Sequence, residues 1–357
     1  MLYNICAYFQ LDGCLPLPLR AAAAFFIALG LSLLCGPKLI DFLRHHQKKG
    51  QPIREDGPQS HLLTKKGTPT MGGLLILGSS ILTVLLLADL SNALVWICIL
   101  VLLVYGFVGF ADDYVKVTKQ TANAMSAKMK LFLQFTTAFA AVTVITLLTP
   151  EPSRYLLTFP WFKHLALNLW LFYIPFAMVV IAGASNAVNL SDGLDGLASG
   201  LLVASFAVFM IIAGICGSSM NEYFYILPIP HAGEIAVVCA AVIGGCIGFL
   251  WFNAAPAQVF MGDTGSLALG ALLGTVAVIV KHEILLAVVG GVFVIEALSV
   301  MIQVAYYRKT GGKRFFKMAP IHHHFEQCGW PETRVVIRFW IAALALAVLG
   351  LTALILK

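Results

Sequence analysis

Charge is scarce in this sequence. Only 11% of its 357 residues are Asp, Glu, Lys or Arg, while 60% are hydrophobic. A soluble chain carries about a quarter charged residues, so the scarcity argues against a soluble globular domain and for a chain that lives in a membrane. Length alone would suggest two soluble domains, but a polytopic bundle of this size is read as one unit, residues 1–357. A cysteine framework is missing too. Cys6, Cys14, Cys35, Cys98, Cys216, Cys239, Cys246 and Cys328 are scattered, and none forms a CxxC pair. Zinc-finger spacing and a disulfide scaffold are therefore both unsupported. Most of these cysteines lie in apolar runs, where the thiol is a small hydrophobe. A Cys6–Cys14 bridge would require that end to be extracytoplasmic. Arg20, the first basic residue, follows an apolar start rather than preceding one, which does not fit a cleavable secretory signal. Low-complexity tracts and clear internal repeats are also lacking.

What is present is a succession of apolar runs. A membrane-crossing helix needs roughly 20 apolar residues. Ten candidates run from Arg20 to Ile40, Met71 to Asp89, Ala93 to Ala111, Met129 to Leu148, Leu169 to Val188, Leu197 to Cys216, Ile235 to Asn253, Ser266 to Val280, Ile284 to Tyr307, and Val335 to Leu356. The runs are continuous, without the alternation of a membrane β-barrel, so the expected fold is an all-α polytopic membrane protein. The eighth run is short, as in a tilted or partly re-entrant helix.

The net charge of +6 is compatible with anionic lipid or nucleic acid, but its distribution says more. Three connections hold most of the basic residues: seven in Lys38–Lys66, four in Lys116–Lys130 and seven in Arg308–Arg338. With ten spans these connections fall on one side. The positive-inside rule makes that side cytoplasmic and both termini extracytoplasmic. The connections Asn189–Gly200 and Phe260–Ser266 share that side. All five connections there carry unusual polar residues, so the cleft is expected at the cytoplasmic face. The opposite connections, such as Pro150–Asn168, look bland.

Five segments carry chemistry. GFVGFADDYVK (Gly106–Lys116) places Asp112 and Asp113 at the end of an apolar run. Acids at a helix C-terminus oppose the macrodipole, and acids at membrane depth mark sites by default. A solvated helix end beside Lys116 and Lys119 is the plain alternative. In ASNAVNLSDGLDGLASG (Ala184–Gly200), Asn186, Asn189, Asp192 and Asp195 recur every third position. A straight α-helix would let that stripe drift off one face, so a tightened or broken helix is expected, with Gly193 and Gly196 permitting it. The spacing is not that of an EF-hand, and a polar interfacial loop remains the bland reading.

NAAPAQVFMGDTGSLALG (Asn253–Gly270) sets Asp263 between two glycines before an apolar helix. Asp263 suits an N-cap, and the same geometry suits a phosphate at a helix N-terminus. Phe260 suits stacking on a base or a place at the membrane interface. HLLTKKGTPTMGG (His61–Gly73) offers Lys65, Lys66, Thr68 and Thr70 to phosphate, although a basic flank explains the lysines alone. MAPIHHHFE (Met318–Glu326) carries His322, His323 and His324. Helical metal ligands sit three or four apart, so three consecutive histidines do not make a zinc site. One or two of them suit a phosphate contact or a proton transfer, and a solvated loop is the alternative. Carboxylates, bases and glycine turns together are what Mg²⁺-assisted phosphoryl transfer requires.

At this point a resemblance becomes specific. GTPTMGG (Gly67–Gly73), FADDYVK (Phe110–Lys116), NAVNLSDGLDGLA (Asn186–Ala198), FNAAPAQVFMGDTGS (Phe252–Ser266) and PIHHHFE (Pro320–Glu326) resemble the motifs of the phospho-N-acetylmuramoyl-pentapeptide-transferases, or translocase I enzymes, in that family's order. Ser191 stands where the family often has Thr and keeps the hydroxyl. The resemblance implies a ten-helix inner-membrane enzyme, expected to be a homodimer, that moves phospho-MurNAc-pentapeptide from UDP to undecaprenyl phosphate, giving lipid I and UMP. It implies Mg²⁺ and no nucleic-acid partner. Carried over by position, Asp263 is the expected Mg²⁺ ligand, and Asp112 and Asp113 join it as catalytic acids. Asn186, Asn189, Asp192, Asp195, Asn253 and Phe260 are expected to line the nucleotide and metal pocket. Lys65, Thr70, Lys128 and His322–His324 are expected to contact phosphate or sugar. A polyprenyl-phosphate GlcNAc-1-phosphate transferase and, more distantly, a transporter are the competing readings. A transporter would place its acids near the bilayer midplane between repeated helices.

Overall fold

A computed structural model of the chain describes residues 1, 3, 16–47, 50, 65, 67–121, 125–162 and 165–355. Its α-helices are α1 (Leu17–His46), α2 (Gly73–Leu87), α3 (Ala93–Lys119), α4 (Ala127–Leu148), α5 (Tyr173–Ser191), α6 (Leu197–Cys216), α7 (Met220–Phe224), α8 (Glu234–Asn253), α9 (Gly262–Ile279), α10 (Glu283–Val289), α11 (Gly291–Lys309), α12 (Ile321–Gln327) and α13 (Glu332–Ile355). Among the described residues nine helices are long and apolar enough to cross a membrane: α1, α3, α4, α5, α6, α8, α9, α11 and α13. The fold is thus an all-α polytopic membrane protein.

Two of the ten expected spans differ in detail. The run Met71–Asp89 yields only the 15-residue apolar helix α2. Its first residues are drawn into another interaction: Gly72 and Gly73 donate their N–H groups to the carbonyls of Phe260 and Met261. The run Ile284–Tyr307 is divided at Gly290 into α10 and α11. Paired glycines, Gly290 and Gly291, are a recognised cause of such a break.

The centre of the bundle is α9. Every residue of this helix is buried except Asp263. It packs chiefly against α3 and α5, with α2 alongside. Lipid offers apolar side chains no reason to leave it, so membrane helices associate through small residues and interhelical hydrogen bonds. Gly265, Gly270 and Gly274 supply the first. The Ser185 hydroxyl, which donates to the Leu267 carbonyl at 2.8 Å, supplies the second. A second packed unit joins α8 to α1 and α6. There the Arg20 guanidinium donates to both Glu234 oxygens, at 2.8 and 2.6 Å. The outward faces carry exposed Phe26, Phe107, Phe132 and Ile341, as a lipid-facing surface does.

The Pro150–Asn168 connection holds more structure than its sequence suggests. Strands β1 (Leu156–Thr158) and β2 (Ala166–Asn168) pair antiparallel, with Leu157 opposite Leu167. Three-residue strands are too short to show a period of two. The cysteines Cys35, Cys98, Cys216, Cys239, Cys246 and Cys328 are free. Cys6 and Cys14, and with them the bridge considered above, lie outside the described residues, as do His61 and Lys66.

Candidate active site

The N-terminus of α9 is where the polar segments meet. Helix α3 does not stop at Ala111 but continues to Lys119, so Asp112 and Asp113 lie inside a helix and not at its end. Lys116, three and four residues on, supports that continuation by pairing with both: its Nζ lies 2.7 Å from Asp112 Oδ2 and 3.9 Å from Asp113 Oδ1. Gly109, one turn earlier, brings α3 against α9 so closely that a Cβ there would collide with the Asp263 carbonyl.

This approach changes the expected cap. Asp263 sits in the first turn of α9 and does not cap the helix itself. Asp113 caps it from the neighbouring helix. Its Oδ1 accepts from the Asp263 N–H at 3.2 Å, and its Oδ2 accepts from the Thr264 N–H at 3.0 Å and the Thr264 hydroxyl at 2.8 Å. A carboxylate is favoured at a helix N-terminus, where free N–H groups and the macrodipole both attract it.

The Asp263 side chain is then left for other partners. Lys130 Nζ approaches its Oδ2 at 2.7 Å and Lys116 Nζ at 3.2 Å, while Asn189 Nδ2 donates to its Oδ1 at 2.9 Å. Lys130 also lies 3.1 Å from Asp112 Oδ2, and the Met125 N–H donates to Asp112 Oδ1. Asp112, Asp113 and Asp263 each offer an oxygen within 4.8 Å of the others. Three hard carboxylate donors at that spacing form a donor set that fits a divalent cation.

Asp192 lies beside this trio just past the end of α5. Burial holds its carboxyl well above the usual carboxylate range, and repulsion from Asp263 and Asp113 adds to the effect. The expected break in the Asn186–Asp195 stripe occurs at this point: α5 ends at Ser191, and Gly196 takes a left-handed φ of 79° before α6.

Asp195 belongs to a second cluster. Lys65 Nζ lies 2.9 Å from Asp195 Oδ1 and donates to Glu332 Oε1 at 2.6 Å. Burial opposes the Lys65 charge, but Glu332 and Asp195 outweigh it and hold the ammonium above its usual value. The Phe260 ring is 5.9 Å from Lys65 Nζ. The Ala257 N–H donates to Asp195 Oδ2, tying the α5–α6 turn to the α8–α9 connection. Asn253 does the same: it accepts from the Gly196 N–H at 3.0 Å and donates to the Val259 carbonyl at 2.9 Å. Thr70 is buried with its hydroxyl beside Gly262, to which the Asp113 carboxylate also comes close.

Other expected site residues stand apart. Asn186 donates to Gln134 Oε1 and its own helix, one turn short of the aspartates. Lys128 is exposed, and Lys130 makes the contacts that its segment suggested. His323 pairs with Glu326, and His324 accepts from the Lys317 N–H, so both turn onto their own segment. Only His322 is buried, against Gly193. Sequence reading passed over Lys116 and Lys130 as part of a basic flank. It passed over Gln134 and Glu332 for want of any local motif, and over Glu296, although an acid within an apolar run is itself a signal.

Comparison with known proteins gives this geometry a family. The model of glycosyl transferase family 4 matches residues 95–281, more than half of the chain, including all three clustered aspartates. With nine membrane-length helices, that defines a polytopic membrane transferase. Residues 65–77 match signature 1 of phospho-N-acetylmuramoyl-pentapeptide-transferase. Proteins of that name from Rickettsia montanensis and Rickettsia massiliae (strain Mtu5) are 53% identical over 339 residues, covering 95% of this chain and 93% of each relative. One from Rickettsia africae (strain ESF-5) is 52% identical over the same span. The chain belongs to the phospho-N-acetylmuramoyl-pentapeptide-transferase family.

Proposed function

We propose that this enzyme transfers phospho-N-acetylmuramoyl-pentapeptide from its UDP carrier to undecaprenyl phosphate, giving lipid I and UMP, the first membrane step of peptidoglycan synthesis. The observation that carries the reading is the trio Asp112, Asp113 and Asp263 beneath Lys116 and Lys130 in a chain of this family. The whole of residues 1–357 is taken as one transferase unit, acting as a homodimer in the inner membrane. The lysine-rich connections beside the site support a cytoplasmic orientation, where a soluble nucleotide-sugar and a lipid phosphate can meet.

The donor set fits Mg²⁺, with Asp263 as its principal ligand, and the ion would neutralise charge building on the transferring phosphoryl group. The chain's own residues do the rest. An oxygen of undecaprenyl phosphate attacks the β-phosphorus of the UDP-sugar. The new O–P bond forms as the bond to the α-phosphate oxygen breaks, and UMP leaves. The acceptor's proton passes to an aspartate. Asp113 already accepts three hydrogen bonds from α9, which favours Asp112 as that base and Asp113 as the group that positions Asp263. Lys116 and Lys130 exchange carboxylate for phosphate oxygens as substrate arrives. Asn189 orients Asp263. Lys65, Phe260 and Asp195 are suited to the nucleotide, through charge, stacking and hydrogen bonding.

The test is transfer by purified protein in detergent with undecaprenyl phosphate and Mg²⁺, offering UDP-MurNAc-pentapeptide and UDP-GlcNAc separately. UMP release with the first donor alone, lost in Asp263→Asn, is the expected result. Release with UDP-GlcNAc instead would keep the chemistry and overturn the substrate. Capture of a phospho-aspartate would replace direct attack with a two-step route.

A further inference from the structure

Helix α11 buries a carboxylate that the transfer chemistry above does not use. Glu296 and His322 are both 0% exposed, and Glu296 Oε2 lies 3.0 Å from His322 Nδ1. The far nitrogen of the ring, Nε2, is buried without a partner. It is pressed against Gly193, where a Cβ would collide with it. Gly193 follows Asp192, whose carboxyl feels Asp263 and Asp113. A continuous path therefore runs from the interior of α11, through one imidazole, to the turn beside the aspartate trio.

Stability does not account for this pair. Replacing a buried ionic pair with apolar side chains of similar volume is often neutral or favourable. What a carboxylate does for an imidazole is fix it. The hydrogen bond at one ring nitrogen selects the tautomer and sets the orientation of the other. We propose that Glu296 is a positioning residue for the transfer reaction. It accepts the Nδ1–H of His322, leaves Nε2 as an unprotonated acceptor, and so seats the ring behind the Asp192–Gly193 turn where the nucleotide-sugar is held. The proposal rests on the transfer reading for its kinetic arm only.

The experiment compares wild type with Glu296→Gln and Glu296→Leu. Three quantities are measured: kcat and KM for the UDP-linked donor, the thermal midpoint, and the ¹⁵N shifts of His322, assigned by their loss in His322→Asn. Gln still offers an oxygen to Nδ1–H, so Glu296→Gln is expected to keep the Nδ1–H tautomer and kcat within about threefold. Glu296→Leu is expected to lose the single tautomer and about 10–100-fold in kcat, the usual effect of removing such an outer partner. KM should change by less than kcat; the thermal midpoint of Glu296→Leu should fall, because His322 is left buried without its partner, so kcat is compared per folded molecule. A proton on Nε2 in the wild type overturns the proposal. So does an unchanged kcat in Glu296→Leu, or a loss that only tracks its folded fraction. If Glu296→Leu does not fold, the wild-type ¹⁵N spectrum and Glu296→Gln still decide. Absence of UMP release by the wild type would sink the transfer reading instead, and the tautomer measurement would stand apart from it.

Discussion

The two ends of α9 both bury charge, and they do so in opposite ways. At its N-terminus three carboxylates face two lysines, drawn from α3, α4 and α9 itself. At its C-terminus a single cation, Lys281, is 0% exposed. Its Nζ donates to the Arg154 carbonyl at 2.7 Å and sits 3.8 Å from the centre of the Tyr173 ring. The Tyr173 hydroxyl donates to Glu283, and Thr158 from β1 donates to the Lys281 carbonyl. The first end keeps Asp263, Lys116 and Lys130 at 14–19% side-chain exposure, open to the surface. The second is sealed and ties the hairpin segment to the bundle. A buried ionic cluster is thus a site where it has an excess of one charge and an opening, and a staple where its partners are matched and enclosed.

The largest effect should come from the open end. Asp263→Asn removes the carboxylate that both lysines and Asn189 address. Transfer activity should fall on the order of 10³-fold, while the thermal midpoint moves by a few degrees at most, because Lys116 and Lys130 keep Asp112. A UMP-release assay beside a melting curve checks both. Comparable loss of stability would erase the distinction between the two ends.

Next is the sealed end. Glu283→Ala removes the acceptor of the buried Tyr173 hydroxyl and the nearby charge that favours the Lys281 ammonium. Leaving a buried donor unsatisfied costs about 1–3 kcal/mol, read as a lower denaturation midpoint in detergent. Turnover by the folded fraction should stay within about threefold. A specific loss of kcat there would mean that the two ends communicate along α9.

The lysines of α4 sharpen the contrast within the open end. Lys130→Ala should lower kcat about 10–100-fold, as expected for a charge facing the transferring phosphates. Lys128→Ala, on an exposed side chain two residues away, should change it less than twofold. Equal effects would return the segment to a general basic flank.

That pair also marks how far the sequence could be read. The continuous apolar runs made the helical class legible, since lipid forces each crossing segment to satisfy its own backbone. Asp112, Asp113, Asp192 and Asp263 stood out because acids are costly at membrane depth. What stayed hidden was pairing across helices. That Asp113 caps α9 depends on the closeness Gly109 allows, and no motif records it. Choosing Lys130 over Lys128 depends on the rotation of α4 about its axis, and a run of basic residues has no phase. The division of α10 from α11 at Gly290 was invisible inside one long apolar run. The strands β1 and β2 were too brief to show a pattern.

The smallest expected effect concerns pH at the sealed end. Burial raises the Glu283 carboxyl from 4.5 to about 7, with Lys281 opposing the rise. Burial lowers the Lys281 ammonium from 10.5 to about 8, with Glu283 opposing the fall. Between pH 4.5 and 7 the native state therefore holds a proton on Glu283 that the unfolded chain has released. Stability from this group is fully present below about 4.5 and is lost as pH rises towards 7. Lys281 acts in a different window: its native form releases a proton that the unfolded chain keeps, so its penalty is full below about pH 8 and lifts towards 10.5. In Glu283→Gln the first dependence disappears. Melting curves taken from pH 7 down to 5 should therefore show the wild type gaining stability relative to Glu283→Gln. A parallel pair of curves would mean that Glu283 does not titrate in this window, and that charge, not a shared proton, holds the staple closed.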